Sequence, residues 1–531
     1  MNIAHRIREV STLYPLKKSV VLARNNSSYT FKEFEEKSNQ FAHQFIKMGL
    51  KPGMRTILFV KPCLDFSVMT FALFKVGAIP VLIDPGMGMT SLLESVKQVR
   101  PQALVSVGMV HWLRRLKKDS FKNLEVKVSL SRVGGSTHYL YSGIENMPKE
   151  FTPVKVSSTD CAAILFTSGG TGIPKGVIYT HGILHAQTDV LRDLFCLDQS
   201  QIDLPGFPLF ALFTLALGMT SVIPELDPSK PAQCHPAKIV KNIMDHKVTF
   251  AAGSPSIWER VGKYCLDHNI ELPTVKQVVM FGAPVRAEIH QMFKKILTNG
   301  DTYTPYGATE CLPVSLVSGS EILKNHLPHM LRGYGTCIGR PVPGVKMTIL
   351  KTSDIPEDHL NELPLGEIGE IAVQGKQVTS GYFEMELETK KTKIMHQNEL
   401  WHRMGDLGHI DREGQLWFLG RKAHRVESLN ETYYPMQIES IFNQHPKIKR
   451  TALIKLNING LITPSLVIER HDKNVKMTDS FLRELLVLRD SEEFTKPLHQ
   501  FFLHPGFPVD VRHNIKIDRI KLSSWAQSQH S

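Results

Sequence analysis

Phe166-Thr167-Ser168-Gly169-Gly170-Thr171-Gly172-Ile173-Pro174-Lys175-Gly176 follows an apolar run, residues 162–166, that reads as a buried strand. Glycines let backbone N–H groups approach closely and point inward, hydroxyls add donors, and Lys175 brings positive charge. Those are the ingredients of a phosphate cradle. The stretch is not a Walker A loop, because Gly176 stands where Ser or Thr should follow the lysine. On these residues alone an ordinary glycine-rich turn remains the competing reading.

Outward from that stretch, short apolar runs alternate with helical patterns and Gly/Pro turns, which predicts an α/β architecture with largely parallel sheets. Thr30-Phe31-Lys32-Glu33 has the form of a capping box, so a helix should follow, with Phe34, Phe41 and Phe45 as its core face and Gly49 and Pro52 as its stop. Residues 56–60 and Ile79–Ile83 read as strands around a helix at 67–76, and 248–252 and 275–281 as further buried strands. Each strand, the one before the glycine-rich stretch included, is expected to lead through a turn into a helix-like stretch. From Val345 short alternating strands, including Lys346–Leu350 and residues 369–373, predict a β-rich subdomain. Near Gly420-Arg421 the texture changes to a smaller α+β segment, so the chain divides into residues 1–420 and 421–531. The second part carries 17 Lys and Arg against 12 Asp and Glu, basic like the rest and not a special tail.

The 531 residues can bury ample core, and 42% apolar with 21% charged residues is ordinary for a globular protein. A formal charge of +12 suits an anionic partner, such as nucleotide, acidic carrier protein or anionic lipid, but names none. Lys and Arg occur only in short clusters such as Arg114, Arg115, Lys117 and Lys118, without interleaved aromatics, so no nucleic-acid partner is expected. Seven widely spaced cysteines without a C-x-x-C argue against disulfides and zinc. Arg6, Arg8 and Glu9 near the amino terminus have no apolar core behind them, which predicts no secretory signal and a cytoplasmic protein. Residues 204–224 carry no charge and have about the length of a membrane span. Pro205, Pro208, Pro224, Gly206 and Gly218 would interrupt such a helix, so the stretch is read as buried helix and loop lining an apolar substrate pocket. No transmembrane segment is expected, while peripheral membrane contact stays open.

Four further motifs recur in order along the chain: Gly282-Ala283-Pro284, Tyr306-Gly307-Ala308-Thr309-Glu310, Gly405-Asp406 with Gly420-Arg421, and Lys516. Together with the glycine-rich stretch they resemble the adenylate-forming superfamily of acyl-CoA synthetases, nonribosomal-peptide adenylation domains and firefly luciferase. The resemblance implies an AMP-binding body at 1–420, with β-sheets flanked by helices, and a small mobile α+β lid at 421–531 carrying the catalytic lysine. It implies ATP and Mg²⁺ as cosubstrates. Thr167, Ser168, Gly169, Gly170, Thr171, Gly172 and Lys175 would then cradle phosphates, and Gly282, Ala283 and Pro284 would lie beside adenine. Tyr306, followed by Gly307, offers adenine a flat face. Asp406 can accept from both ribose hydroxyls with Arg421 assisting, and Thr309 can donate to the α-phosphate. Glu310, a hard carboxylate, suits Mg²⁺. Lys516 would stabilise charge developing as a carboxylate attacks the α-phosphorus.

Departures narrow the resemblance. Gly170 replaces a common Ser or Thr, Ala423 the usual hinge Asp or Lys, Glu427 a common Lys, and Ile515 the Gly before the lysine. With Ile83-Asp84-Pro85-Gly86-Met87-Gly88, Tyr179-Thr180-His181-Gly182 and the run from His504 to Asn514, they look like the olefin β-lactone synthetases of bacterial long-chain hydrocarbon synthesis. That branch implies adenylation of a long β-hydroxy acid, closure by the neighbouring hydroxyl with loss of AMP, and pathway partner enzymes that use the lactone. His181 is nominated to orient or deprotonate the hydroxyl, on grounds that His185 and His424 share equally. A fatty-acyl-CoA synthetase, a fatty-acyl-AMP ligase and an ATP-binding regulatory protein without turnover are the alternatives.

Overall fold

The Thr30 hydroxyl accepts from the Glu33 amide at 3.2 Å, and the Glu33 carboxylate accepts from the Thr30 amide at 2.7 Å. This reciprocal cap opens the helix Phe31–Lys47 and satisfies two amides that a helix start otherwise leaves unpaired. Phe31, Phe34, Phe41 and Phe45 on its inner face are fully buried, each contributing about 1.5–3 kcal/mol of apolar burial. The structure, a computed structural model, describes residues 1–167, 173–429, 431–509 and 517–530.

Among the described residues the body holds two large sheets. One has seven strands in the order His138–Tyr139, Val126–Ser129, Ala103–Ser106, Arg55–Phe59, Ile79–Ile83, Cys161–Thr167 and Lys175–Thr180, parallel except for the last pair. That last pair corrects one expectation. After Cys161–Thr167 the chain returns as the antiparallel strand Lys175–Thr180, and only then does the helix His181–Phe195 begin. Thr167 and Lys175 therefore lie opposite each other at the base of the glycine-rich stretch.

The second sheet changes character along its width. From Lys18–Leu22 through Thr220–Ile223, Ile202–Pro205, Phe250–Gly253 and Gln277–Met280 to Asp301–Ala308 it is parallel. From Cys311–Ser318 onward, through Thr336–Pro341, Leu416–Arg421, Glu399–Ile410 and Gly369–Gln374 to Lys346–Leu350, it is antiparallel. The hairpin Asp301–Ala308/Cys311–Ser318 is thus the seam between the α/β part and the β-rich part.

Residues 204–224 are not one buried helix and loop but the end of one strand, the helix Phe210–Ala216 and the strand Thr220–Ile223. Pro205, Gly206 and Pro208 cannot continue a helix, and the β-branched Thr220, Val222 and Ile223 favour a strand. No helix among the described residues is long and apolar enough to cross a membrane. Beyond Arg421, the sheet Ile448–Ile458, Leu461–Arg470 and Gln500–His504 packs with the helices Pro435–Phe442, Asp479–Arg489 and Arg519–His530. The two apolar clusters there contain only residues from Val426 onward.

Candidate active site

Ala308 pairs with Cys311, so Thr309 and Glu310 form the two-residue tip of the hairpin at the sheet's seam. A Cβ on Gly307 would meet the Cys311 carbonyl oxygen at 2.7 Å, so this tight return needs glycine. Three contacts from two separate segments hold the tip. The Tyr179 hydroxyl donates to the Thr309 carbonyl at 2.6 Å, the Thr379 amide to the Glu310 carbonyl at 2.9 Å, and the Tyr382 hydroxyl to Glu310 Oε1 at 2.7 Å. Lys393 adds positive charge beside Glu310, and burial brings its ammonium down to about 8 against the opposing pull of that carboxylate.

Asp406 stands on Glu399–Ile410 directly opposite Arg421 on Leu416–Arg421. Gly405 before it takes φ +66, a left-handed conformation that glycine adopts without steric cost. Asp406 Oδ2 accepts from the Tyr306 hydroxyl at 2.7 Å, while Oδ1 lies 3.1 Å from the half-exposed Arg421 guanidinium and receives no hydrogen bond in good geometry. Burial raises the Asp406 carboxyl above its ordinary value, opposed by Arg421 and Tyr306. A buried oxygen with spare acceptor capacity is what a vicinal diol requires.

One cavity of about 2610 Å³ connects these groups. Its polar arm is lined by Thr167, Lys175, Gly282, Ala283, Pro284, Tyr306, Gly307, Thr309, Glu310, Asp406 and Arg421. Its apolar arm takes Phe66, Phe74, Leu184, Phe207, Phe210 and Phe213. Pockets for single small ligands are roughly 300–1,000 Å³, so there is space for a nucleotide and a large apolar substrate together. Ser168, Gly169, Gly170, Thr171, Gly172 and Lys516 lie outside the described residues.

Two of the expected site residues have partners within the protein. Lys175 is paired with Glu388 at 2.8 Å and lies over the Tyr382 ring, so its charge is already matched by a protein carboxylate. His181 does not line the cavity. It is 2% exposed, its Nδ1 accepts from the Ile3 amide at 3.2 Å, and burial lowers its pKa to about 4. That contact ties His181 to the amino-terminal segment. His185 accepts from Arg6, whereas His424 does line the cavity.

Tyr382 and Lys393 were not singled out from the sequence, and Tyr179 entered only within the run Tyr179-Thr180-His181-Gly182, with no role of its own. Gly381-Tyr382 is the one such signal, a glycine before an aromatic between strands; Lys393 is indistinguishable by type from Lys390 and Lys391.

The donor set fits Mg²⁺ of the kind that keeps water and phosphate ligands. Among the described residues there is no cluster of three His, Cys, Asp or Glu able to cage a metal, and Glu310 offers one oriented carboxylate beside the phosphate-side residues.

The sequence model of AMP-binding enzymes matches residues 8–383. The chain belongs to the AMP-binding enzyme family. Within it, the chain is 36% identical over 525 residues to an olefin beta-lactone synthetase of Xanthomonas campestris pv. campestris, covering 96% of this chain and 92% of that protein. Identity to an olefin beta-lactone synthetase of Stenotrophomonas maltophilia is 35% over 521 residues, with 96% and 93% covered. The fold superimposes on the amide bond synthetase McbA from Marinactinospora thermotolerans with a TM-score of 0.81 at 19% identity, covering 98% and 99% of the two chains. The AMP-binding family, the adenylate-forming fold and the resemblance to the lactone synthetase branch, all expected from the motifs, are borne out, and the protein is an AMP-forming, acid-activating ligase.

Proposed function

We propose that the protein adenylates a long-chain β-hydroxy carboxylic acid and closes it to a β-lactone. The single observation that carries this reading is a continuous cavity joining a ribose-type acceptor at Asp406 and the tip carboxylate Glu310 to a phenylalanine-lined arm. The similarity to olefin beta-lactone synthetases supports the choice of product.

In the first step the substrate carboxylate oxygen attacks the α-phosphorus of ATP. A P–O bond forms, the bond to pyrophosphate breaks, and acyl-AMP results. Tyr306 and Asp406 hold the adenosine, and Thr167 and Thr309 face the phosphates. Glu310, kept in place by Tyr382, would hold Mg²⁺, which when bound offsets phosphate charge. Lys516, on a carboxy-terminal lid at 421–531, stabilises the charge of the transition state. In the second step the β-hydroxyl oxygen attacks the acyl carbon, the carbon–oxygen bond to AMP breaks, and the hydroxyl proton leaves to base or water. The nucleophile is already attached, so its effective concentration is high and no thiol is needed. Apolar side chains around the acyl arm keep competing water away from the adenylate. A cytoplasmic setting, with its supply of ATP, goes with this chemistry.

The test compares a long-chain β-hydroxy acid with the same acid lacking the hydroxyl, each with ATP and Mg²⁺ and without coenzyme A. The hydroxy acid should give lactone, AMP and pyrophosphate over many turnovers. The other acid should stall after about one equivalent of pyrophosphate. Equal turnover of both acids, or thioester as the only product when coenzyme A is added, would assign the protein to the acyl-CoA ligases.

A further inference from the structure

The helix Gly108–Leu116 exposes Met109, Trp112 and Leu116, with 74%, 65% and 78% of their surface in solvent. Spacings of three and four place them on one stripe of the helix, opposite the buried His111, whose Nε2 donates to the Val128 carbonyl at 3.0 Å. Isolated apolar residues are normal on a surface, but three on one helical face form a patch. Met89, Met109, Val110 and Leu113 also line the large cavity, so the stripe borders its apolar rim. Arg115, Lys117 and Lys118 are exposed beside it, and the Arg115 guanidinium lies over the Trp112 ring at 5.6 Å. Arg114 turns inward, to His111 and Thr137, and takes no part in this basic margin.

We propose that this helix docks the protein on an anionic lipid surface at the rim of the acyl cavity. An apolar stripe with an exposed tryptophan and a basic margin is the arrangement of an interfacial helix: the apolar side chains enter the acyl boundary and the cations meet lipid phosphates. Charge decides between occupants. A second copy docking face to face would set Arg115, Lys117 and Lys118 against their own counterparts, whereas an anionic bilayer complements them. Docking here brings the cavity rim to the phase in which long-chain acids dissolve. That delivery role rests on the long-chain reading of the substrate, but the docking does not, and the test reads docking alone.

The full chain is floated with vesicles of phosphatidylcholine alone and with phosphatidylglycerol added, at low and high salt. Binding should need the anionic lipid and weaken at high salt. Trp112→Ser/Leu116→Ser should lower partitioning about tenfold. Arg115→Ser/Lys117→Ser/Lys118→Ser should remove the preference for anionic lipid. The substituted side chains are exposed, and circular dichroism melting verifies that both variants fold. Absence of binding to anionic vesicles at low salt, equal binding to both lipids, or unchanged binding by the variants overturns the proposal. So does self-association in sedimentation that the same variants abolish, which would give the stripe to a second copy.

Discussion

Replacing Asp406 by Asn isolates the charge that the nucleotide is proposed to use. Asn can still accept from the Tyr306 hydroxyl, which now donates to Oδ2 at 2.7 Å. At the position of Oδ1, which has spare acceptor capacity, it presents an N–H₂ group instead. A hydrogen bond to a charged group contributes about 1.5–3 kcal/mol, and every 1.4 kcal/mol is tenfold, so ATP should bind about 10- to 100-fold more weakly. The fold should lose little. The ion contact with the half-exposed Arg421 is screened by solvent, and a neutral amide relieves the burial that raises the Asp406 carboxyl. Calorimetry with ATP and with 2′,3′-dideoxy-ATP reads the effect directly. The native protein should prefer ATP, and Asp406→Asn should barely distinguish the two. Lowering the pH should shrink the native preference as the carboxyl protonates, and its raised pKa places that loss above the usual carboxylate range. Unchanged ATP affinity in a folded variant, or equal weakening of both nucleotides, refutes the assignment of Asp406 to the ribose.

Lys516→Ala should slow acid-dependent pyrophosphate exchange by about a hundredfold or more while calorimetric ATP affinity stays near normal, because the lysine acts on transition-state charge. Tyr382→Phe removes the hydrogen bond to Glu310 Oε1 and should raise the Mg²⁺ needed for half-maximal exchange by about tenfold. Asp203 is fully buried, takes one hydrogen bond from Thr214, and burial brings its carboxyl up to about 7. Its folded state therefore holds a proton that the unfolded chain releases near pH 4, and stability falls as pH rises from there to about 7. Asp203→Asn should raise the melting temperature more at pH 8 than at pH 5. His181→Gln should lower the melting temperature through the lost Ile3 contact and leave the ratio of lactone to pyrophosphate unchanged.

Local rules were legible wherever local chemistry decides structure. The Thr30 cap, the phenylalanine face behind it, the apolar strand Ile79–Ile83 and the alternating strand Lys346–Leu350 follow from hydrogen-bonding capacity and periodicity. The return strand Lys175–Thr180 was missed because its start lies inside the glycine-rich pattern, which dominates a reading by residue type. Within 204–224 the proline and glycine positions excluded a spanning helix correctly, but they could not divide seven helical residues from the two strands around them. Asp203, the acid just before that uncharged stretch, is buried against Thr214, which its residue type does not reveal. Contacts between segments far apart in the chain were beyond reach: Tyr382 meets Glu310 over 72 residues and Lys175 meets Glu388 over 213, separations that no motif spacing encodes. His181 was drawn toward the chemistry by its place after the phosphate stretch, yet tertiary packing turns it to the amino-terminal segment.

The central claim is that the acid's own hydroxyl displaces AMP from an acyl-adenylate. A long-chain β-hydroxy acid carrying ¹⁸O in both carboxylate positions, incubated with the protein, ATP and Mg²⁺ without coenzyme A, tests it in one mass-spectrometric measurement. The carboxylate oxygen bonded to the α-phosphorus must leave with AMP, and the ring oxygen must come from the unlabelled hydroxyl. The account predicts AMP and lactone with one ¹⁸O each, in equal amounts. Lactone accompanied by unlabelled AMP, or labelled AMP with free acid and no lactone, would contradict it.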